Sequence, residues 1–194
     1  MKIDLKNITD RQFLKIRIGV DYYLYIQKHY KDSKPQDVED FRDVFTEFYM
    51  KAQGKMRAPE NREPFFDTMK TCSPNIDLIE LVEELHEEMA TDLYEFSFAT
   101  KLLHTVNNDS PIFDSKVFSY LKKEEKIPLW GATQGEDSLE RAKHNWPLLK
   151  GWYDNFMATD KRKAEWVAWF DAHFPDAKGI SDIKKIDFLI FAFN

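Results

Sequence analysis

Apolar residues recur every three or four positions along most of this 194-residue chain, and the alternating pattern of a β-strand is nearly absent. One such series is formed by Phe13, Ile16, Val20, Tyr23 and Leu24. Because an α-helix has about 3.6 residues per turn, residues at this spacing lie on one face that can pack into a core. The sequence therefore predicts an all-α fold.

Side chains that cap helices indicate where several of the predicted helices begin. Thr9 and Gln12 have the spacing of a capping box, in which each side chain accepts a hydrogen bond from the other residue's backbone N–H. Serine and aspartate side chains accept the same kind of bond at a helix start. Further helix starts are therefore predicted at Ser73, Asp114, Asp160 and Ser181.

Prolines and a glycine divide the chain into shorter elements. We predict a second helix over residues 35–53, which Gly54 ends, then a loop over 55–64 and a short helix over 65–71. Pro147 falls within a long helical pattern. Because proline removes one backbone hydrogen bond, we expect it to kink or split that helix.

No repeat, low-complexity tract or linker interrupts the sequence, which predicts a single domain over residues 1–194. We expect its helices to form two lobes around a groove near Asp114. No apolar run has the length of a signal peptide core or a membrane span. Cys72 is the only cysteine, so an intrachain disulfide is excluded. These features predict a soluble cytoplasmic protein without a membrane partner.

One segment, residues 96–117, has an order of elements that is known from a protein family. It comprises a helix, a short loop that contains Pro111, and Asp114 at the start of a new helix. This order resembles the central segment of the helix-hairpin-helix DNA glycosylases. In that family the aspartate assists the departure of a damaged base from a flipped-out nucleotide, and some members use a lysine that forms a Schiff base. The resemblance implies that Asp114 and Lys101 are catalytic residues.

The family's hairpin normally has a glycine-containing turn whose backbone N–H groups bind a DNA phosphate. Residues 94–100, which correspond to it, contain no glycine. Each implied site residue also has a simpler interpretation. Asp114 can serve only as a helix cap, worth about 1 kcal/mol, and Lys101 can be a solvated helix residue. His104 is expected to be a half-buried, hydrogen-bonded histidine.

Two groups of basic residues are candidates for contact with nucleic acid. Lys116, Lys122 and Lys123 follow Asp114, and they are the nucleic-acid-binding residues that we predict. A second group, residues 161–163, precedes Trp166, and an aromatic ring beside basic residues can stack on bases. The alternative for the second group is a core tryptophan next to an exposed, charged helical turn.

Glu83 and His86 have the Glu-x-x-His spacing that di-iron helical bundles use. Such sites require a second pair of this kind, and the sequence does not contain one. The simpler interpretation is an acidic, solvated helix face. We therefore expect no metal and no cofactor.

Two functional hypotheses follow from the sequence. The first is a divergent relative of the DNA glycosylases that binds nucleic acid, with or without surviving catalysis. The second is a non-catalytic helical module that binds a partner protein or a second copy of itself. The net charge of −6 disfavours general affinity for nucleic acid, so DNA binding would depend on a local basic patch.

Overall fold

The predicted all-α fold is confirmed by the computed structural model, which describes residues 3–32, 39–50, 59–89, 94–131 and 139–193. These residues form nine α-helices and two short 3-10 helices, and no strand occurs among them. The α-helices are α1 (Asp10–Asp32), α2 (Glu39–Met50), α3 (Pro59–Thr71), α4 (Leu78–Glu88), α5 (Phe96–Val106), α6 (Ser115–Lys123), α7 (Leu139–Thr159), α8 (Lys161–His173) and α9 (Asp182–Phe193). Within the described part of the chain, no helix is both long and apolar enough to cross a membrane.

Most of the predicted helix starts are confirmed by capping hydrogen bonds. The Thr9 N–H donates to Gln12 Oε1 over 2.9 Å, and the Gln12 N–H donates to Thr9 Oγ1 over 3.3 Å, as the capping box requires. Asp160 accepts from the Arg162 N–H at the start of α8. The start predicted at Ser73 is wrong, because Asp77 accepts from two backbone N–H groups and α4 begins after it.

The boundaries predicted around the prolines need correction. The loop predicted over 55–64 is wrong for residues 59–64, which are helical, and α3 is therefore longer than the predicted helix over 65–71. Pro59 suits the first turn of α3 because the N–H that it lacks would have no partner there. Pro147 lies inside α7 and does not split it. Residues 51–54, including Gly54, lie outside the described residues.

Helix α9 lies at the centre of the part of the fold that forms the candidate site. It packs against α1, α6 and α8, and most of its side chains are buried. At Gly19 of α1, an added Cβ would lie 2.8 Å from Cε1 of Phe188, which is closer than van der Waals contact allows. The glycine therefore permits the close approach of α1 and α9.

Candidate functional site

A cavity of about 420 Å³ lies among α1, α2, α5, α6 and α9. This volume falls in the range of small-molecule sites, which is roughly 300–1,000 Å³. Aromatic rings from Phe48, Tyr49, Phe188 and Phe191 form part of its wall. Six charged residues also line it: Glu47, Lys101, Asp114, Lys116, Lys184 and Asp187. The cavity thus combines apolar walls with several groups that can transfer protons or bind polar atoms.

Lys101 is buried in the wall of the cavity, so its interpretation as a solvated residue is wrong. Only 7% of the residue is exposed. Its Nζ donates to Ser97 Oγ over 3.0 Å, and that hydroxyl donates to the carbonyl oxygen of Phe113 over 2.9 Å. Burial lowers the pKa of Lys101, although the nearby charge of Asp114 opposes the shift. A larger share of the amine is therefore neutral, which is the nucleophilic form.

Asp114 caps α6 as predicted and also lines the cavity. Its Oδ1 accepts from the Lys116 N–H over 2.7 Å and from the Val117 N–H over 2.8 Å. Within the described ranges, its second oxygen, Oδ2, has no hydrogen-bond partner. Asp114 can therefore be both a helix cap and a site residue, since Oδ1 caps α6 and Oδ2 is available to a ligand.

A buried ion pair, Lys184 with Asp187, occupies the α9 side of the cavity. The Nζ–Oδ2 distance is 2.7 Å, and the two side chains are 4% and 7% exposed. Four aromatic rings surround the Lys184 ammonium at 4.8–5.7 Å from their centroids, which is the distance of a cation–π contact. Burial raises the pKa of Asp187, and the Lys184 charge opposes this shift. Asp187 Oδ1 is buried without a hydrogen-bond partner among the described residues.

The sequence prediction missed Lys184 and Asp187. Opposite charges three residues apart are common on exposed helix faces, so the spacing alone does not indicate a buried pair. The available signal is their context, because they lie in a helix that is otherwise mostly apolar. A charged residue in such a helix is buried only when it has a partner.

The structure separates the three lysines that were predicted to bind nucleic acid. Lys116 lies in the first turn of α6 and lines the cavity. Lys122 and Lys123 lie in the last turn, about 10 Å farther along the helix at 1.5 Å per residue. The Lys122 ammonium lies 5.3 Å from the centre of the Phe118 ring. Only Lys116 is therefore placed next to the candidate site.

Two residues of the second basic group, Arg162 and Lys163, form ion pairs. Arg162 pairs with Glu125 over 2.7 Å and with Asp160 over 2.6 Å. Lys163 lies 3.3 Å from Asp182. Trp166 is 3% exposed and belongs to the core. These contacts favour the interpretation of this group as a charged turn beside a core tryptophan.

The Glu-x-x-His pair does not form part of a metal centre in the described residues. No group of three histidine, cysteine or acidic side chains is arranged there to hold a metal ion. The ring of His86 stacks on Tyr94 with a centroid distance of 3.9 Å. The expectation of an acidic helix face is compatible with this placement.

His104 is hydrogen-bonded as predicted but is fully buried. Its Nδ1 lies 2.6 Å from the carbonyl oxygen of Ser110, and its Nε2 lies 3.1 Å from the hydroxyl of Tyr23. The carbonyl can only accept, so Nδ1 carries the proton and Nε2 accepts from the Tyr23 hydroxyl. Burial lowers the pKa of His104 to about 3. This residue is therefore neutral and links α5 to α1.

We expect the protein to lose stability in mild acid because of His104. Its pKa is about 3 when folded and about 6.5 when unfolded. Between these values the unfolded chain binds the extra proton, so the free energy of unfolding falls as the pH decreases. At about pH 5 the loss relative to about pH 7.5 is roughly 2 kcal/mol. Urea unfolding at both pH values measures it, and an unchanged difference in His104→Gln would contradict this assignment.

No known relative of this chain informs the interpretation of the site. No known protein family, curated protein or solved structure matches this chain. The resemblance of residues 96–117 to the glycosylases therefore depends on those residues alone. The cavity itself shows that Lys101 and Asp114, which lie thirteen residues apart in the sequence, line one space together with Lys184 and Asp187.

Proposed function

We propose that the cavity binds a base flipped out of a nucleic-acid strand, and that Lys101 and Asp114 cleave the bond between this base and its sugar. The observation that carries the proposal is that both residues line one aromatic-walled cavity. Enzymes that act on a base hold it in a close-fitting pocket between aromatic or apolar side chains. The cavity has such walls, and it adds an amine and a carboxylate.

The proposed step uses Lys101 as the nucleophile. Its neutral amine attacks C1′ of the sugar, and the bond from C1′ to the base nitrogen breaks. The base leaves with the bonding electron pair, the ammonium formed at Lys101 passes a proton to Asp114, and Asp114 then passes this proton to the departed base. Opening of the bond from C1′ to the ring oxygen then gives an imine on Lys101, and the ring oxygen takes up the proton that the amine nitrogen loses.

Burial supports the role of Lys101 as a neutral amine because it is the largest cause of the lowered pKa of Lys101, and it outweighs the charges of Asp114, Glu95 and Asp187, which raise that pKa. Lys184 lines the same cavity, and its positive charge also contributes to the lowered pKa of Lys101. A second cation near a buried lysine is a known way to activate such an amine. Asp187 holds Lys184 in place through their ion pair. Asp187 also raises the pKa of Lys101, so the ion pair fixes the position of Lys184 in the cavity wall and adds no net charge.

Borohydride trapping tests the proposal. The protein is incubated with oligonucleotides that carry an oxidised, a deaminated or an alkylated base, and borohydride is then added. Hydride addition converts an imine into a stable amine, so a covalent protein–strand adduct is expected. Peptide mapping should place the adduct on Lys101, and Lys101→Met should abolish it. An adduct that persists in this variant would show that another residue reacts.

A result without any adduct distinguishes between the two hypotheses from the sequence. If the protein binds strands without forming the imine, base recognition survives and the amine chemistry is refuted. If it neither binds nor reacts, the non-catalytic interaction module is favoured. Light scattering would then test whether the chain forms a dimer with a second copy of itself.

A cytoplasmic location is part of the proposal. The sole cysteine, Cys72, is only partly exposed, and burial raises the pKa of its thiol to about 11. The thiol therefore stays protonated and unreactive at neutral pH. A chain with one inert thiol needs no oxidising compartment.

A further inference from the structure

Helix α1 carries an exposed stripe of mixed basic and apolar residues. Arg11, Leu14, Lys15 and Ile18 follow the i, i+3, i+4, i+7 spacing that places residues on one helix face. Such a stripe usually packs into the core, yet Leu14 is 57% exposed and Ile18 is 48% exposed. The third large apolar side chain exposed in the described residues is Phe191 of α9, at 42%. All three therefore lie on the neighbouring helices α1 and α9.

Positive charge is concentrated at the same place. Lys15 Nζ lies 6.0 Å from the centre of the Phe191 ring. Burial lowers the pKa of Lys15, and the charges of Lys116 and Arg11 lower it further. The charges of Arg11 from α1 and Lys116 from α6 are thus close enough to act on Lys15. This grouping of basic residues contrasts with the net charge of the whole chain, which is −6.

Arg11 and Lys15 have no ion-pair partner within 4 Å among the residues that the structure describes. The next arginine on α1, Arg17, is different because it pairs with both Asp21 and Asp176. Arg11 and Lys15 are therefore available to an anionic ligand, whereas the charge of Arg17 is already neutralised by two aspartates.

The basic surface is continuous with the cavity. Phe191 and Lys116 line the cavity; Phe191 also lies beside Lys15, and the charge of Lys116 acts on Lys15. We refer to Arg11, Lys15, Lys116 and Phe191 as the basic rim. Inside the cavity, three acidic residues, Glu47, Asp114 and Asp187, outnumber the two basic residues Lys101 and Lys184, so a phosphate is disfavoured there. An anionic group is therefore favoured at the basic rim, and a neutral base is favoured inside.

We propose that the basic rim binds the phosphate backbone of the strand whose base enters the cavity, with Phe191 packed against a neighbouring base. This inference rests on the proposed function and names the surface that holds the strand. Proteins that bind single strands combine cations along the backbone with aromatic rings on which bases stack. The rim supplies both, whereas residues 94–100 contain no glycine hairpin to bind a phosphate.

Fluorescence anisotropy with a labelled single-stranded oligodeoxynucleotide tests the rim. The variant Arg11→Ala/Lys15→Ala/Lys116→Ala should bind at least about tenfold more weakly at low salt. The slope of log affinity against log salt should fall by roughly two, since each lost phosphate contact contributes about 0.7 on a single strand. A matched variant, Lys28→Ala/Lys161→Ala/Lys178→Ala, removes the same charge from other exposed positions and should bind like the wild type.

Phe191→Ala separates stacking from charge. It should weaken binding by about tenfold, as expected for a base that loses its aromatic partner, while leaving the salt slope unchanged. Circular dichroism and thermal unfolding of each variant confirm that the fold is retained. Equal weakening by the rim and control variants would overturn the inference, because it would indicate only a general charge effect.

The trapping assay keeps failure of the rim distinct from failure of the proposed function. If the rim variant binds and forms the Lys101 adduct like the wild type, the rim inference falls and the proposed function stands. If wild-type binding requires the rim but no adduct forms, the rim inference stands and the chemistry falls. If no strand binds and Leu14→Ser/Ile18→Ser converts a dimer into a monomer, this face is a protein interface and the inference is refuted.

Discussion

Replacing Asp114 with asparagine is expected to lower the rate of base release by at least about a hundredfold, the size of effect typical of a lost general acid or base. Asparagine cannot accept the proton that leaves Lys101, and it does not stabilise positive charge on the sugar. The stability of the protein should change little, because asparagine caps a helix about as well as aspartate. Single-turnover kinetics on a saturating strand measure the rate, and urea unfolding measures the stability.

Asp114→Ala provides the matched comparison. It removes the cap as well as the carboxylate, since Oδ1 of Asp114 accepts two backbone hydrogen bonds at the start of α6. We expect a similar loss of rate and an additional loss of about 1 kcal/mol in the free energy of unfolding. If asparagine at this position retained full activity, Asp114 would have only its structural role.

Replacing Asp187 with alanine is expected to lower the free energy of unfolding by about 3–5 kcal/mol. The substitution leaves the Lys184 ammonium buried without its carboxylate partner. The surrounding aromatic rings offer some compensation but cannot replace an ion pair. For a protein of this size, the change corresponds to a decrease in Tm of roughly 10 °C. Differential scanning calorimetry measures it.

Two controls show whether this loss comes from a buried unpaired charge. Lys184→Met/Asp187→Leu removes both charges and should recover most of the stability, since an apolar pair of similar volume is often neutral or stabilising. Asp154→Ala breaks the exposed pair with Lys150, whose side chains are 62% and 54% exposed, and should cost less than about 1 kcal/mol. A loss as small for Asp187→Ala as for Asp154→Ala would show that Lys184 does not need this carboxylate as a partner.

Much of the fold can be predicted from the sequence because helical periodicity and capping are local properties. The capping box at Thr9 and the caps at Asp114 and Asp160 each depend on residues within one helical turn. The boundaries of α3 and α4 were harder to predict, since Pro59 and Pro64 can be read as loop residues or as parts of a first and second turn. Asp77 and Ser73 are likewise both good caps, and it is Asp77 that caps α4.

The candidate site could be predicted only in part. The resemblance drew attention to Asp114 and Lys101, but the burial of Lys101 depends on how other helices surround α5, nine of whose eleven residues are buried. Lys184 and Asp187 come from α9, far away in the sequence, and no local pattern connects them with α5. The basic rim likewise combines residues from α1, α6 and α9, which no local sequence pattern connects. Sites of this kind arise from tertiary packing, which a single sequence does not reveal.

The pairing of α1 with α9 has a consequence for how the protein is made. Gly19 and Phe188 are in contact although most of the chain lies between them. During synthesis α1 emerges from the ribosome long before α9, and contacts between such distant residues form slowly because a long loop must close. Until α9 docks, its aromatic residues and ion pair are missing from one side of the cavity. We therefore expect the Lys101 amine to be hydrated and charged until α9 docks.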